Sequence, residues 1–183
     1  SFIAVIDRLN YGVGRVIMYG FFAMMAVLLW STISKFSDQP SLWTLEVAQF
    51  AMIAYFFLGG PYAIQMGSHV RMDLFYENWS VKKKAAIDAI MVFCLMFYLG
   101  VLLWGGLSST AYSLGHFGSN PVGFFVDLAT GEKDIGTLER SRSIWRPYLW
   151  PIKAIMCLGI LLMLLQALSE LFKDILRLRG ETI

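Results

Sequence analysis

Four apolar runs, each long enough to cross a bilayer and nearly free of charge, constrain this sequence more than any other feature. They lie at about 14–34, 45–66, 85–112 and 151–172. A helix rises about 1.5 Å per residue, so roughly 20 apolar residues span a hydrocarbon core of about 30 Å. Lipid offers the backbone no hydrogen-bond partners, so a segment of this kind satisfies its own N–H and C=O groups by coiling into a helix. The expected fold is therefore all-α, an integral membrane four-helix bundle formed by a single domain over 1–183. The composition agrees. Of the 183 residues 57% are hydrophobic and 15% charged, whereas a soluble domain carries about a quarter charged residues.

Ahead of the first run, Phe2, Ile3, Val5, Ile6 and Leu9 recur with the helical period, with Asp7, Arg8 and Asn10 on the other side. That pattern predicts a short amphipathic helix over Phe2–Asn10 lying in the membrane interface, the alternative being an early start to the first spanning helix. Residues 1–15 do not read as a cleavable signal, because Asp7 and Arg8 interrupt the apolar stretch and no A-x-A-like site follows. The first span is expected to act as an uncleaved anchor. Pro61, within Gly59-Gly60-Pro61 of the second span, predicts a kink or break there. The longest connection, Ser113 to Trp150, is rich in Gly, Ser, Asp and Arg, and Pro151 opens the last helix where a missing N–H does no harm. Trp43, Trp79, Trp145 and Trp150 stand at or beside span ends, the level indoles prefer.

An even number of spans puts both termini on one face. That face carries nine of the lysines and arginines, including Lys82-Lys83-Lys84, against six on the other. The excess places both termini in the cytoplasm and the long connection on the far side of the membrane. Lys82-Lys83-Lys84 is too short, and too poor in interleaved aromatics, to be a nucleic-acid surface.

The spans hold no ionisable group at mid-depth, where such groups mark ion paths and proton relays. Glu46, Glu170 and Lys153 fall near span ends, and the residues between are neutral, among them Gln49, Gln65, Ser108, Ser109 and Gln166. The two histidines, His69 and His116, lie in connections, so the spans offer no axial haem ligands. Cys94 and Cys157 sit inside apolar runs, unsuited to thiol redox work. His69 and Asp73 lack companions for a metal site. No cofactor and no enzymatic activity is expected. Small residues that permit close helix packing occur at Gly105 and Ser109 and around Gly59-Gly60.

The most distinctive stretch is Trp43-x-x-Glu46, then Leu58-Gly59-Gly60-Pro61-Tyr62-Ala63, then Gly67-Ser68-His69-Val70-Arg71-Met72-Asp73. It resembles the small membrane subunit of tripartite ATP-independent periplasmic (TRAP) transporters, in which a Gly-x-His-Val-Arg-x-Asp segment follows the second helix and an acid stands near that helix's start. Trp150-Pro151 and Leu164-Leu165-Gln166 match as well, and the long third connection exceeds that of compact members. The resemblance implies a non-transporting scaffold in a sodium-coupled carrier of organic acids. Its partners would be a large membrane subunit, a periplasmic solute-binding protein and membrane lipid. Glu46, Gly67, His69, Arg71 and Asp73 are then candidates for subunit contact or for fixing the loop. Arg140, Arg142, Trp145, Arg146 and Trp150 are candidates for docking the binding protein or anchoring at the interface. Glu46 and Arg71 are expected at opposite ends of the second helix, too far apart to pair. Two rival classes are a membrane anchor of a redox complex, which needs in-span histidines, and a self-sufficient homodimeric carrier, which needs a mid-span acid.

Overall fold

The computed structural model describes residues 2–37, 40–66, 81–132 and 134–179. They form six helices: α1 (Phe2–Ile17), α2 (Gly20–Phe36), α3 (Thr44–Gln65), α4 (Val81–Ser113), α5 (Pro121–Thr130) and α6 (Trp150–Arg179). Four segments are long and apolar enough to cross a membrane: Ile3–Phe36, Thr44–Gln65, Ile90–Ser113 and Trp150–Leu176. The fold is the expected all-α membrane architecture.

The helices run up and down and are laid out as a row. α2 packs on α3, α3 on α6, and α6 on α4, with no comparable packing between α2 and α4 or between α3 and α4 among the described residues. A closed bundle would bury one stripe of every helix. Here α2, an edge of the row, has no buried residue at all. The middle of the row is held by Leu99, Ile160 and Ala167, with Phe57, Met96, Leu103, Met156 and Met163 against them.

At the α3–α6 contact two backbones meet. Pro61 lies within α3, which continues through it to Gln65. Proline has no N–H, so the carbonyl four residues earlier, that of Phe57, loses its helical donor. That carbonyl faces Gly159 of α6, where a Cβ would stand only 2.6 Å from the Phe57 oxygen. Glycine at 159 is what lets the two helices approach here. Gly105, by contrast, faces open space.

The N-terminal helix departs from the sequence reading in extent and in facing. α1 runs on past Asn10 and Gly14 to Ile17, and the first apolar segment bends at Met18–Tyr19. The backbone at Tyr19 stays right-handed helical, and hydrogen bonds tighten to three residues, as from Tyr19 N to Val16 O. The face turned to the protein carries Ile6, Asn10 and Gly14, with Asp7 beside them, whereas Val5, Leu9 and Val16 are exposed. Of the greasy face expected from the sequence, Ile6 packs inward beside Asn10 whereas Val5 and Leu9 stay exposed. Where the surroundings are lipid, polar side chains seek protein partners and aliphatic ones face outward. α1 advances roughly 15 Å from Asp7 to Ile17. Its contacts on α3 move from Gln65 through Tyr62 to Gly59, roughly 9 Å along that axis. The helix therefore crosses α3 obliquely.

The long connection is not merely a polar loop. Asn120 caps α5 by accepting from Gly123 N at 3.1 Å, and Pro121 occupies the first turn, where it costs no hydrogen bond. Phe124 packs with Ala111 and Leu114 at the end of α4. The approach to α5 turns at Gly115, whose φ is +87° and whose Cβ position would fall 2.7 Å from the Thr137 nitrogen. Both the conformation and the space exclude a side chain.

Candidate functional site

Two polar clusters close the ends of the apolar row. At the terminal end, Gln166 of α6 is fully buried because α1 lies over it. Its carbonyl accepts from Asn10 Nδ2 at 2.7 Å, and its amide donates to Asp7 Oδ1 at 2.9 Å and to Glu170 Oε1 at 3.2 Å. Ser169 Oγ donates to Asp7 at 3.3 Å. Lys173 Nζ stands 2.8 Å from both Asp7 and Glu170. Gln65 ties α3 to the same cluster by donating to the Asp7 carbonyl at 3.1 Å. The neutral amides at 10 and 166 thus connect the membrane-buried part of α6 to an ion pair at its rim.

At the loop end, Glu139 accepts from Ser113 Oγ at 2.6 Å and from Lys153 Nζ at 2.7 Å. Lys153 also reaches the Ser109 carbonyl at 3.3 Å. The Lys153 ammonium, followed by the Ser113 hydroxyl, holds the Glu139 carboxyl below its ordinary range. Lys153 and Glu139 thereby pin the connection to α4 and α6 together. Beyond Glu139 the chain forms a hairpin, with an isolated bridge between Arg140 and Tyr148 and Ser141 N donating to Pro147 O at 2.9 Å. The Arg140 guanidinium lies over the Tyr148 ring, 4.4 Å from its centroid, and donates to the Tyr148 hydroxyl.

Glu46 sits in the first turn of α3, buried, and accepts from Ser141 Oγ at 2.9 Å. The acid that sequence alone offers for subunit contact thus holds the root of the hairpin, 95 positions further along the chain. Its second oxygen is buried without a donor. Arg140, Arg142, Trp145, Arg146 and Trp150 are brought together on the hairpin and its exit, all exposed. Ile144 at the tip is 80% exposed. Gly67, His69, Arg71 and Asp73 lie outside the described residues.

Sequence reasoning missed the Asp7–Asn10–Gln166 network, Gly159 and α5. Only α5 had a local signal, the Asn120-Pro121 start and Gly131 end of a capped helix. Cys157 is buried with its Sγ 3.3 Å from Thr110 Oγ1, whereas Cys94 is exposed; both are free thiols. Among the described residues no three His, Cys, Asp or Glu side chains converge to hold a metal ion.

A family model described as tripartite ATP-independent periplasmic transporters, DctQ component, matches residues 24–177. The chain belongs to this family. It is a small component of a TRAP transporter and a multi-pass membrane protein, and DctQ components work with a large membrane subunit and a binding protein. Neither the curated proteins nor the solved structures offer a matching relative. The match covers α2 through most of α6 and leaves α1 outside it.

Proposed function

We propose that this DctQ component is a scaffold that carries no solute itself and holds the large membrane subunit of a sodium-coupled organic-acid transporter. The observation that supports this most is the open row. Its edge helix α2 buries nothing, and Phe22, Leu29, Trp30 and Ile33 along it are 56–59% exposed. A carrier builds a closed, polar midplane site. This row instead packs an apolar centre around Leu99 and Ile160, and the buried amides of Asn10 and Gln166 are hydrogen-bonded to each other.

In this reading the large subunit packs along the row, both termini face the cytoplasm, and the loop end faces the periplasm of the inner membrane. The hairpin docks the solute-binding protein. Arg140, Arg142 and Arg146 supply positive field toward an acidic patch, which raises the rate of encounter, and Ile144 and Trp145 supply apolar contact. Glu46 positions that hairpin through Ser141. Gly67, His69, Arg71 and Asp73 contact the large subunit or fix their own loop.

Co-expression of the tagged chain with the large subunit encoded beside it tests the assembly. A stable one-to-one complex in detergent is expected, weakened by Leu29→Arg on α2. Purification as a self-assembled species with no large subunit would contradict the reading.

A further inference from the structure

The connection between α4 and α6 carries an apolar surface that neither the scaffold role nor the hairpin uses. On α5, Val122, Val126 and Ala129 are exposed and spaced four and three residues apart, so they form one stripe. The opposite side, with Phe124, is buried on Ala111 and Leu114. Asp127 is the one charged residue of this helix and lies off the stripe, beside the hollow lined by His116, Asn120 and Phe124. Upstream, Phe117 is 75% exposed and stacks edge-on against Tyr112, ring centroids 5.2 Å apart. Tyr112 in turn continues the exposed side of α4 through Trp104, Val101 and Phe97, an apolar side of a helix long enough to cross a membrane.

The level of α5 follows from its neighbours. It packs at Ala111 and Leu114, the same height on α4 as Ser109 and Ser113, where the Glu139–Lys153 ion pair binds. A charged pair beside the exposed indole of Trp150 marks the boundary between hydrocarbon and headgroups. We infer that α5 is an interfacial helix whose Val122–Val126–Ala129 stripe, together with Phe117, is seated in lipid at the headgroup–acyl boundary. α5 then lies along the lipid boundary beside the loop end of α4, and the hairpin stands in water.

A protein occupant fits less well. A helix of 10 residues is about 15 Å long, and three small aliphatic side chains fall far short of the roughly 800 Å² per partner that a stable contact buries. The surface is instead continuous with the lipid face of α4. The hairpin differs in kind, since its arginines ring the exposed apolar tip, whereas the α5 stripe carries no charge.

Site-directed spin labelling tests this. Single cysteines are placed at Val122, Val126 and, as an aqueous reference, Glu132, in the full chain carrying Cys94→Ala and Cys157→Ser. Each is labelled and reconstituted in phosphatidylethanolamine–phosphatidylglycerol vesicles, using samples whose thermal unfolding matches the unlabelled chain. Labels at 122 and 126 are expected to collide more with oxygen than with a water-soluble nickel chelate, with the ratio reversed at 132. Chelate-dominated collisions at 122 and 126 would overturn the inference, and so would shielding from both reagents, which would mean a protein covers the stripe. The outcome is independent of the scaffold reading, because it needs only that α4 and α6 span the bilayer.

Discussion

Gln166 shows how much one neutral side chain does in a membrane protein. It is buried and uses both ends of its amide, accepting from Asn10 and donating to Asp7 and Glu170. Gln166→Leu strands the Asn10 amide, while Asp7 keeps Ser169 and Lys173, and a stranded buried group costs about 1–3 kcal/mol. A lowered unfolding temperature in detergent is expected for the single variant, with partial recovery in the Asn10→Leu/Gln166→Leu pair, since removing both partners leaves nothing unpaired. Equal losses in the single and double variants would show that the amide pair is not coupled. Glu139 gives a pH-dependent counterpart. Its carboxyl is held below the ordinary range by Lys153, so its stabilisation is complete above the ordinary glutamate value. It is lost as pH falls through the depressed folded value. Protection from hydrogen exchange over 136–149, taken relative to the intrinsic rate at each pH, is expected to fall below the ordinary glutamate range, and Glu139→Gln is expected to flatten that dependence.

At the scale of elements, the contrast between two glycines is the sharpest test. Gly159→Ala drives a Cβ into the Phe57 carbonyl that Pro61 has left free. It is expected to destabilise the chain by about 1–3 kcal/mol through overpacking. Gly105→Ala meets nothing within 4 Å and is expected to be neutral or to gain up to about 1 kcal/mol in helix propensity. Thermal unfolding of both in one detergent separates them. Sequence alone offered Gly105 and Ser109 alongside Gly59-Gly60; Gly60 does meet Met163 of α6, whereas Gly105 meets nothing, because small-residue spacing reports what a helix can accommodate and not which neighbour arrives. The spanning helices themselves were legible, since length and apolarity decide them locally. The inward packing of Ile6 and Asn10 on α1 was not, because a helical wheel shows two sides without naming the protein groups that meet the polar one. The Asn10–Gln166 bond joins positions 156 residues apart, and no local pattern carries such a contact. Glu46 stood out in the sequence as an acid at a helix start, but its partner Ser141 lies in a segment that composition alone presents as loop.

For the whole molecule, DctQ family membership makes the chain a small component of a TRAP transporter, and the open row of helices supports the proposal that it offers packing surfaces to the large subunit. Reversing the hairpin charges, Arg140→Glu with Arg142→Glu and Arg146→Glu, is expected to lower uptake by the assembled transporter while leaving recovery of the large subunit unchanged. Loss of the complex would instead place the hairpin in the subunit contact. The central claim, that these helices contain no solute path, is tested most directly by uptake into vesicles. A labelled carboxylate that the complete three-component set accumulates under an inward sodium gradient is offered to vesicles holding this chain alone. No sodium-dependent accumulation is expected from the chain alone, and accumulation there would contradict the scaffold role.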